Sequence, residues 1–512
     1  MSFIRRRGER DGALSGSTAS RAIIDIGSNT VRLVLYGGTM RAPTVLLNEK
    51  VAAKLGRDIA ANGQLAEEAM DLAMRGLSRF ALLLEDLEVS DVETVATAAV
   101  RDASNGPEFL ARVEDIGLSP RVLSGEEEAT LSAHGVAGAF PNAQGIVADL
   151  GGGSLELVNL NKEQVTDPVS LPLGALRLPD FRAKGDGGDE GMRKALEKAL
   201  SKGAGERAQK STLYLVGGTW RTMSVLAMQV AGHPLSDPHG FEITPKQART
   251  IADALANEAP EDLKTRDRIS SMRAEILPDA AILLQAMLGT LKPSRIVFSS
   301  WGLREGLLYD RLARDGQSQD PLLAGISTFA SGRGASPTLA ARIASWTLDA
   351  APAREHGTER LRLAATMLAL ASMQIEPNIR LPQAIAWALQ KRWLAVEGAE
   401  RAMMAAAISA NGNQLDLDET VRALASEDAL EEAIRWGLSI RLARRLGART
   451  RRSLDMSRLL IEGDDLVLRL ASSHAALNCG PVEKDMKLLA GRLNLTPRVD
   501  ILEDDNVRGD GD

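Results

Sequence analysis

A short pattern that occurs twice constrains this chain more than any other feature of its sequence. The first copy is AIIDIGSN at residues 22–29, followed by VRLVL, and the second is IVADLGGGS at residues 146–154, followed by LELV. Both copies have the pattern of a β-strand that ends near an aspartate, a turn rich in glycine and serine, and a second strand. Gly and Ser are ordinary turn residues, so one such hairpin is a weak signal. Two copies in one chain predict two related α/β domains.

The two turns have the composition of phosphate-binding loops. Backbone N–H groups can converge on an anion at a glycine because no Cβ obstructs the approach, and Ser or Asn side chains add donors. We expect phosphate contacts from the turn residues Gly27, Ser28, Asn29, Gly151, Gly152, Gly153 and Ser154. The alternative interpretation of the two segments is a pair of β-hairpins with ordinary turns.

The aspartate beside each turn is an anion and is unsuited to bind phosphate directly. Asp25 and Asp149 are therefore predicted to face each other across a cleft. Their expected task is to hold Mg²⁺, or water bound to it, against the phosphate oxygens.

Two further turns follow apolar strands. TLYLV at residues 212–216 leads into Gly217, Gly218 and Thr219, and RIVF at residues 295–298 leads into SSWGLREG. Each turn alone signals only the end of a strand. Together with the repeated turns they make four strand ends, as a two-lobed phosphate-binding cleft requires. We therefore expect Gly217, Gly218 and Thr219 to contact phosphate as well.

An acidic cluster lies between the two copies of the repeat, in SGEEEA at residues 124–129. Ser124 and Glu127 have the spacing of a helix capping box, which explains Glu127 without any catalysis. Glu128 lies one residue deeper and is not needed for the cap, so we assign it to deprotonate the attacking water. Arg101 follows another short apolar run and is a natural clamp for charge on a transferred phosphoryl group.

Composition narrows the classes of protein that this chain can be. At 512 residues it is long enough for several domains, and its 25% charged and 44% hydrophobic residues are typical of a soluble globular protein. The net charge of −7 and the 3% of aromatic residues argue against a nucleic-acid-coating protein. A single cysteine, Cys479, excludes an internal disulfide framework. No membrane span or secretion signal is recognisable, so we expect a cytoplasmic protein with a flexible tail at residues 1–20.

The pattern changes along the chain. Residues 21–140 and 141–315 are predicted to form the two related α/β domains, with a flexible surface loop at the glycine-rich residues 184–191. Residues 321–505 are rich in Ala, Leu, Arg and Glu and are predicted to form an all-α domain. An arginine-rich segment in this region has two interpretations, a solvated helical face or a polyphosphate-contacting patch; its residues are Arg435, Arg441, Arg444, Arg445, Arg449, Arg451 and Arg452.

Six motifs together resemble the family of exopolyphosphatases and guanosine pentaphosphate phosphohydrolases, in order and spacing as well as in residues. They are DIGSN at 25–29, AAVR at 98–101, SGEEEA at 124–129, DLGGGS at 149–154 with Glu156, GGT at 217–219 and SWGLREG at 300–306. The resemblance implies a duplicated actin and hexokinase-like fold with Glu128 as the water-activating base. It also implies that Asp149 and Glu156 belong to the metal and phosphate site.

The C-terminal third is similar to the family only loosely. Longer members carry a helical domain similar to HD-type phosphohydrolases, whose metal site needs a His-Asp pair. This sequence has no His-Asp dipeptide, and its only histidines beyond residue 320 are His356 and His474. We therefore expect a degenerate HD-like scaffold, which extends the substrate channel or supports a homodimer.

Several functions stay open on the sequence. The first is an Mg²⁺-dependent exopolyphosphatase, and its close alternative removes the 5′ γ-phosphate of guanosine pentaphosphate. An ATP-binding kinase or actin relative uses similar turns, although Trp220 beside the GGT turn is expected to crowd a bound adenine. A non-catalytic binder of alarmone nucleotides is the remaining class. Neither nucleic acid nor membrane is an expected partner.

Overall fold

The computed structural model describes residues 21–184, 189–204, 210–448 and 450–507. The predicted tail at residues 1–20, residues 185–188 of the predicted surface loop, and Arg449 lie outside the described residues. The chain divides into two compact units. The first comprises Met1–His233 with Pro238–Gln319, and the second comprises Pro234–Asp237 with Asp320–Asp512.

The first sheet of the first unit contains the first copy of the repeat. Its five strands are β1 (Arg21–Ile26), β2 (Val31–Gly37), β3 (Thr44–Val51), β4 (Asp91–Ala96) and β5 (Pro120–Val122), in the order β3-β2-β1-β4-β5. β1, β2 and β3 are antiparallel neighbours, whereas β4 and β5 continue the sheet in parallel with β1. The accompanying helices are α1 (Ile59–Asn62), α2 (Glu67–Asp86), α3 (Ala98–Asp102), α4 (Gly106–Asp115) and α5 (Gly125–Ala139).

The second sheet repeats this topology. Its strands are β6 (Gln144–Leu150), β7 (Leu155–Asn161), β8 (Gln164–Leu171), β9 (Thr212–Val216), β10 (Glu242–Ile243) and β11 (Arg295–Ser299), in the order β10-β11-β9-β6-β7-β8. β6, β7 and β8 form an antiparallel meander, and β9 and β11 run parallel to β6. The accompanying helices are α6 (Leu178–Lys184), α7 (Asp189–Ala204), α8 (Gly218–Val230), α9 (Pro245–Ala256), α10 (Pro260–Lys264), α11 (Ser271–Leu291), α12 (Leu303–Asp310) and α13 (Arg314–Gln317).

Each sheet has its own apolar core. The inward residues of β1 and β2 pack with α2 and α4, and the inward residues of β6, β7 and β9 pack with α7, α8, α9 and α11. Among the described residues, α11 is the one helix long and apolar enough to cross a membrane by length and composition alone. Most of its apolar residues from Ala274 to Leu291 are buried in the second core.

The second unit is mainly helical. Its helices are α14 (Pro321–Ser331), α15 (Pro337–Trp346), α16 (Glu359–Ala371), α17 (Pro377–Gln390), α18 (Gly398–Asn411), α19 (Glu419–Arg422), α20 (Glu427–Gly447), α21 (Arg451–Asp455) and α22 (Gly480–Leu493). Short 3₁₀ turns lie at Ser372–Gln374, Ser472–Leu477 and Asp504–Asn506. The predicted helical C-terminal region is therefore present.

The prediction that this region is all-α is wrong between residues 457 and 502. Strands β12 (Ser457–Glu462), β13 (Asp465–Ala471) and β14 (Thr496–Leu502) form a three-stranded sheet, antiparallel between β12 and β13 and parallel between β13 and β14. Two apolar runs joined by a Gly463-Asp464 turn are an ordinary hairpin signal. The Ala- and Leu-rich composition of the surrounding sequence favoured the prediction of helices instead.

Among the described residues, three of the seven arginines in the predicted patch contact Asp485 or Asn411 inside this unit. Arg441 is buried and donates to Asp485 at 2.9 Å, and Arg445 donates to the other oxygen of the same carboxylate at 2.7 Å. Arg444 is partly buried beside Asn411. The interpretation as a solvated helical face is therefore wrong for Arg441. A polyphosphate-contacting patch could not use Arg441 or Arg445 as freely available cations, because both are paired with Asp485.

Candidate active site

The two repeated turns have the same backbone geometry. In the first, Gly27 N–H donates to the carbonyl of Thr30 at 3.1 Å, and in the second, Gly151 N–H donates to the carbonyl of Ser154 at 3.0 Å. In both, the bond closes the link between the antiparallel strands of the hairpin. The duplication read from the sequence thus extends to the conformation of the turns.

The turns lie against each other, and the glycines permit this approach. A Cβ on Gly152 would stand 3.1 Å from the backbone nitrogen of Asn29, and one on Gly153 would stand 2.7 Å from Ser28 Oγ. Either contact is closer than a side chain tolerates without movement. The predicted phosphate turns therefore belong to one site.

A cavity of about 170 Å³ opens over these turns. It brings together most of the residues that the sequence nominated: Asp25, Gly27, Ser28, Asn29, Glu128, Asp149, Gly151, Gly152, Gly153, Ser154, Gly217 and Gly218. The lining of the cavity does not include three other nominated residues, Arg101, Glu156 and Thr219. Each of these three contacts a residue close to the cavity. The four turns at strand ends thus meet at one cleft within the first unit.

Glu128 is placed by the start of helix α5. The capping box is present: Glu127 N–H donates to Ser124 Oγ at 3.1 Å, and Glu127 Oε2 accepts from Ser124 N–H at 2.8 Å. Glu127 is thereby held at the exposed helix end, while Glu128 is turned inward and is 8% exposed. The prediction that Glu127 serves the cap is confirmed.

The environment of Glu128 favours a carboxyl that can exchange a proton near neutrality. Burial raises its pKa to about 7, against the lowering effect of Arg101 and with a further raising effect from Asp149. Arg101 Nη1 donates to Glu128 Oε2 at 3.2 Å and to the carbonyl of Leu123 at 3.0 Å. Arg101 therefore orients Glu128, and a direct phosphate contact stays a prediction.

Asp149 is held by a residue that the sequence reading missed. Ser132 Oγ donates to Asp149 Oδ2 from the next turn of α5, four residues after Glu128. Burial raises the pKa of Asp149 to about 6, and the hydrogen bond from Ser132 opposes this shift. The spacing of Ser132 from Glu128 was the available signal, since residues four apart share a helix face.

Glu156 pairs with Asp149 across the β6–β7 hairpin. It is 1% exposed and accepts a hydrogen bond from Ser170 Oγ at 2.9 Å. Burial raises its pKa well above the usual range, and the negative charges of Glu128 and Asp149 add to the shift. Three carboxyl groups therefore share one buried region.

Asp25 lies in the first hairpin, near Arg304. The closest approach between their charged atoms is 3.6 Å. Burial raises the pKa of Asp25, while Arg304 and Arg32 oppose the shift. Arg304 is placed by its neighbour Glu305, which caps α12 at Gly302 N–H and accepts from Tyr36 Oη at 2.8 Å.

The cavity also has a basic side, and the sequence reading assigned none of its arginines a role. Arg32, Arg221, Arg273 and Arg304 all line it. Thr219 accepts a hydrogen bond from Arg273 Nη1 at 2.6 Å, and its contact with phosphate stays a prediction. A signal for Arg32 was available, because it occupies in the first repeat the position that Glu156 occupies in the second.

Three buried polar atoms at the cleft have no hydrogen-bond partner among the residues that the structure describes. They are Asn29 Oδ1, Ser300 Oγ and Arg304 Nε. A buried polar atom without a hydrogen bond is costly, so such atoms in a polar cleft indicate a polar ligand. All three belong to residues that line the cavity.

The acidic side of the cavity has a donor set that suits Mg²⁺. Its carboxylate oxygens are hard ligands. Burial raises the pKa values of Glu128, Asp149 and Glu156, neighbouring negative charges add to each shift, and a cation would relieve that repulsion. Among the described residues, no three His, Cys, Asp or Glu side chains form a ready-made metal cage. The site therefore fits an ion that keeps several waters and binds substrate oxygens, as Mg²⁺ does.

Comparison with known proteins agrees with this architecture. The sequence model of the Ppx/GppA phosphatase family matches residues 35–315. The crystal structure of the Aquifex aeolicus member of that family is 30% identical, with 57% of this chain and 96% of that chain covered and a TM-score of 0.50. An exopolyphosphatase from Cytophaga hutchinsonii is 26% identical, with 57% and 97% covered and a TM-score of 0.49.

These similarities confirm the predicted family resemblance and fold class. The first unit has the duplicated actin-like α/β fold, and a helical region follows it. The family match begins at residue 35, so it does not include the first turn at residues 25–29. For that turn, the repeated strand topology and the matching hydrogen bonds provide the support.

Proposed function

Because this chain belongs to the Ppx/GppA phosphatase family, whose members are phosphoanhydride hydrolases, we propose that it is an exopolyphosphatase. It hydrolyses the terminal phosphoanhydride of inorganic polyphosphate and releases orthophosphate. The observation that carries this proposal is the meeting of two glycine turns with the buried Glu128 and Asp149 in one cavity. Donors for phosphate and an acceptor for a proton from water are thereby adjacent.

In the proposed mechanism, the terminal phosphate lies on the turns at Gly27–Asn29 and Gly151–Ser154. Their N–H groups and the Ser and Asn side chains stabilise charge on the phosphoryl oxygens. A Glu128 carboxylate oxygen orients the attacking water and accepts its proton. Arg101 keeps that carboxylate in place, since it contacts both Glu128 and the carbonyl of Leu123.

Asp149, with Asp25 and Glu156 as further candidates, would hold Mg²⁺ next to the bound phosphate. When bound, Mg²⁺ would neutralise phosphate charge and polarise the phosphoryl oxygens. Ser132 fixes the orientation of Asp149, and Ser170 fixes that of Glu156. These hydrogen bonds hold the oxygen atoms of both carboxylates in place in the absence of an ion.

Removal of the 5′ γ-phosphate of guanosine pentaphosphate is the alternative, because the same reaction and the same residues serve both substrates. The expectation that Trp220 would crowd a bound adenine is wrong, because Trp220 is fully buried in the core and does not line the cavity, so it no longer argues against the kinase alternative. A non-catalytic alarmone binder would have no need for a buried carboxyl beside the phosphate turns.

We also propose a cytoplasmic location, a homodimer and a degenerate HD-like second unit, as the sequence predicts.

One set of assays tests the proposal. Purified protein with Mg²⁺ is offered long polyphosphate, tripolyphosphate, guanosine pentaphosphate and ATP in parallel, and orthophosphate release is measured. We expect the highest kcat/KM on a polyphosphate. A clear preference for guanosine pentaphosphate would replace the proposed substrate by the alternative, and release from none of them would reject the hydrolase.

The metal site has its own prediction. Asp149→Asn and Glu156→Gln are expected to raise the Mg²⁺ concentration for half-maximal rate by about 10- to 100-fold, since each removes a negative ligand or a partner of one. The exposed Asp115→Asn is the matched control and should leave the Mg²⁺ dependence unchanged. Rate is measured against Mg²⁺ concentration for each variant. Unchanged Mg²⁺ dependence in both site variants would remove these residues from the metal site.

Removal of metal ions by a chelator provides a second test of the metal site. EDTA is expected to abolish activity without unfolding the protein, because each sheet has its own apolar core. Circular dichroism before and after chelation measures this directly. Loss of secondary structure along with activity would instead indicate a structural metal.

A further inference from the structure

The turn at residues 299–302, which ends β11, uses its backbone differently from the glycine turns. The N–H groups of Gly152 and Gly153 donate to no acceptor among the described residues. Three successive N–H groups of the turn after β11 donate within the first unit: Ser300 to His239 Nδ1 at 3.2 Å, Trp301 to Ser299 Oγ at 3.1 Å, and Gly302 to Glu305 Oε2 at 3.1 Å. The backbone donors of this turn are therefore committed to the protein itself.

The side chain of Ser300 is what this turn offers to a ligand. Ser300 lines the cavity, and its Oγ is buried without a hydrogen-bond partner among the residues that the structure describes. The turn also lies close to the acidic residues, since a Cβ on Gly302 would stand 3.3 Å from Ser132 Oγ and 3.4 Å from Asp149 Oδ2. A hydroxyl can donate to an anionic oxygen, so Ser300 Oγ is suited to contact a phosphate in the cleft.

His239, the acceptor for the Ser300 N–H, is itself held in place. It is 8% exposed, and its ring centroid lies 4.8 Å from that of Phe140 at the end of helix α5. The next residue, Gly240, donates through its N–H to the carbonyl of Phe298 on β11 at 2.8 Å. Gly240 has a φ of 76°, which glycine adopts without strain. The loop that carries His239 is thus fastened to the strand that leads into Ser300.

The hydrogen bond between the two residues fixes the state of the imidazole and the place of the turn. A ring nitrogen that accepts a hydrogen bond carries no proton, so the proton of the neutral ring lies on Nε2. Without this acceptor, the Ser300 N–H would lose its partner in a largely buried turn, and a buried unpaired N–H is costly. The turn would then shift toward another partner. His239 therefore determines where the Ser300 hydroxyl lies.

We propose that His239 is a positioning residue that acts through Ser300. It holds the turn after β11 so that the Ser300 hydroxyl donates to a phosphoryl oxygen of the substrate. This inference rests on the proposed function, which places a phosphate chain in the cleft. His239 does not line the cavity, so its effect on the reaction passes through the placement of Ser300.

A double-mutant cycle separates this role from a purely structural one. Calorimetry in the absence of Mg²⁺ measures the affinity of tripolyphosphate for the wild type, Ser300→Ala, His239→Leu and the double variant. We expect each single variant to lose about 10-fold in affinity, as for the loss of one hydrogen bond to a charged group. The double variant should match Ser300→Ala within about 2-fold, because His239 acts through Ser300. Losses that multiply in the double variant, or no loss in the single variants, would overturn the proposal.

Rescue by a conservative change gives the second readout. His239→Asn places an amide oxygen near the position of Nδ1 and should keep the affinity within about 3-fold of the wild type. His239→Gln places its oxygen one bond further away and should lose affinity as His239→Leu does. His233→Asn is the matched control in the same loop, since the His233 ring packs against Phe241 and does not line the cavity. Equal losses in the Asn and Gln variants would contradict the role of Nδ1, and this comparison decides alone if His239→Leu does not fold.

Steady-state kinetics with Mg²⁺ connect this contact with the reaction. A contact made equally in the ground state and the transition state affects KM and spares kcat. KM for tripolyphosphate should therefore rise about 10-fold in Ser300→Ala and His239→Leu, with kcat changed by less than about 3-fold. A fall in kcat at unchanged KM would overturn the assignment. If the wild type hydrolyses no polyphosphate, the proposed function fails, whereas the calorimetric cycle still decides whether His239 acts through Ser300.

Discussion

Glu128→Gln is expected to lower kcat by about 10² to 10⁴-fold, the usual contribution of a general base. The change keeps the shape of the side chain and removes the carboxylate that accepts a proton from water. Substrate affinity should change little, because the proposed phosphate contacts come from the turns. Orthophosphate release and tripolyphosphate binding are measured on the same preparation, so that chemistry and binding are separated.

The neighbouring residue provides the matched control. Glu127→Gln is the same chemical change one residue away, at a side chain that serves the helix cap. It should lower the free energy of unfolding by about 1 kcal/mol or less and leave kcat nearly unchanged. Full activity in Glu128→Gln, or an equal loss in both variants, would remove Glu128 from the role of base.

Asp485→Ala is expected to destabilise the second unit by about 3–5 kcal/mol, since it removes the anion from a buried ion pair. The Asp485 side chain is 2% exposed and accepts hydrogen bonds from both Arg441 and Arg445. Without it, the buried guanidinium of Arg441 keeps its charge and loses its counter-ion.

Tryptophan fluorescence during urea unfolding measures this effect selectively, because four of the six tryptophans lie in the second unit: Trp346, Trp387, Trp393 and Trp436. Glu483→Gln, an exposed residue on the same helix α22, is the control and should cost about 0.5 kcal/mol or less. Equal stability of Asp485→Ala and the wild type would show that the arginines find other partners. In that case their role in binding a polyanion would be open again.

Much of the candidate site could be predicted from the sequence because its signals are local. Each phosphate turn is defined by a strand, an aspartate and a few glycine or serine residues in succession. The spacing of the capping box alone distinguishes Glu127, which serves the cap, from Glu128, which does not. In the structure Glu127 forms the cap and Glu128 is buried. The catalytic and metal-binding roles themselves stay predictions until the variants are measured.

The errors came from features that depend on distant partners. Arg441 and Asp485 are 44 positions apart, so their pairing could not be read from the composition of the arginine-rich segment. The hydrogen bond from Arg273 to Thr219 was not expected, because Arg273 lies 54 positions later, and the phosphate contact of Thr219 stays a prediction. Ser132 was passed over because its bond to Asp149 joins a helix to a strand 17 positions away.

The sequence by itself determined the repeat, the turns, the helix cap and the family, because each depends on residues within one short segment or on motifs in order. The tertiary structure alone decided which charges share the cleft. Packing desolvates Glu128 and Asp149 together and raises both pKa values. It also brings Arg32, Arg221 and Arg273 from three separate elements to one cavity. Electrostatic energy depends on distance and burial in space, and neither quantity is encoded in the spacing of residues along the chain.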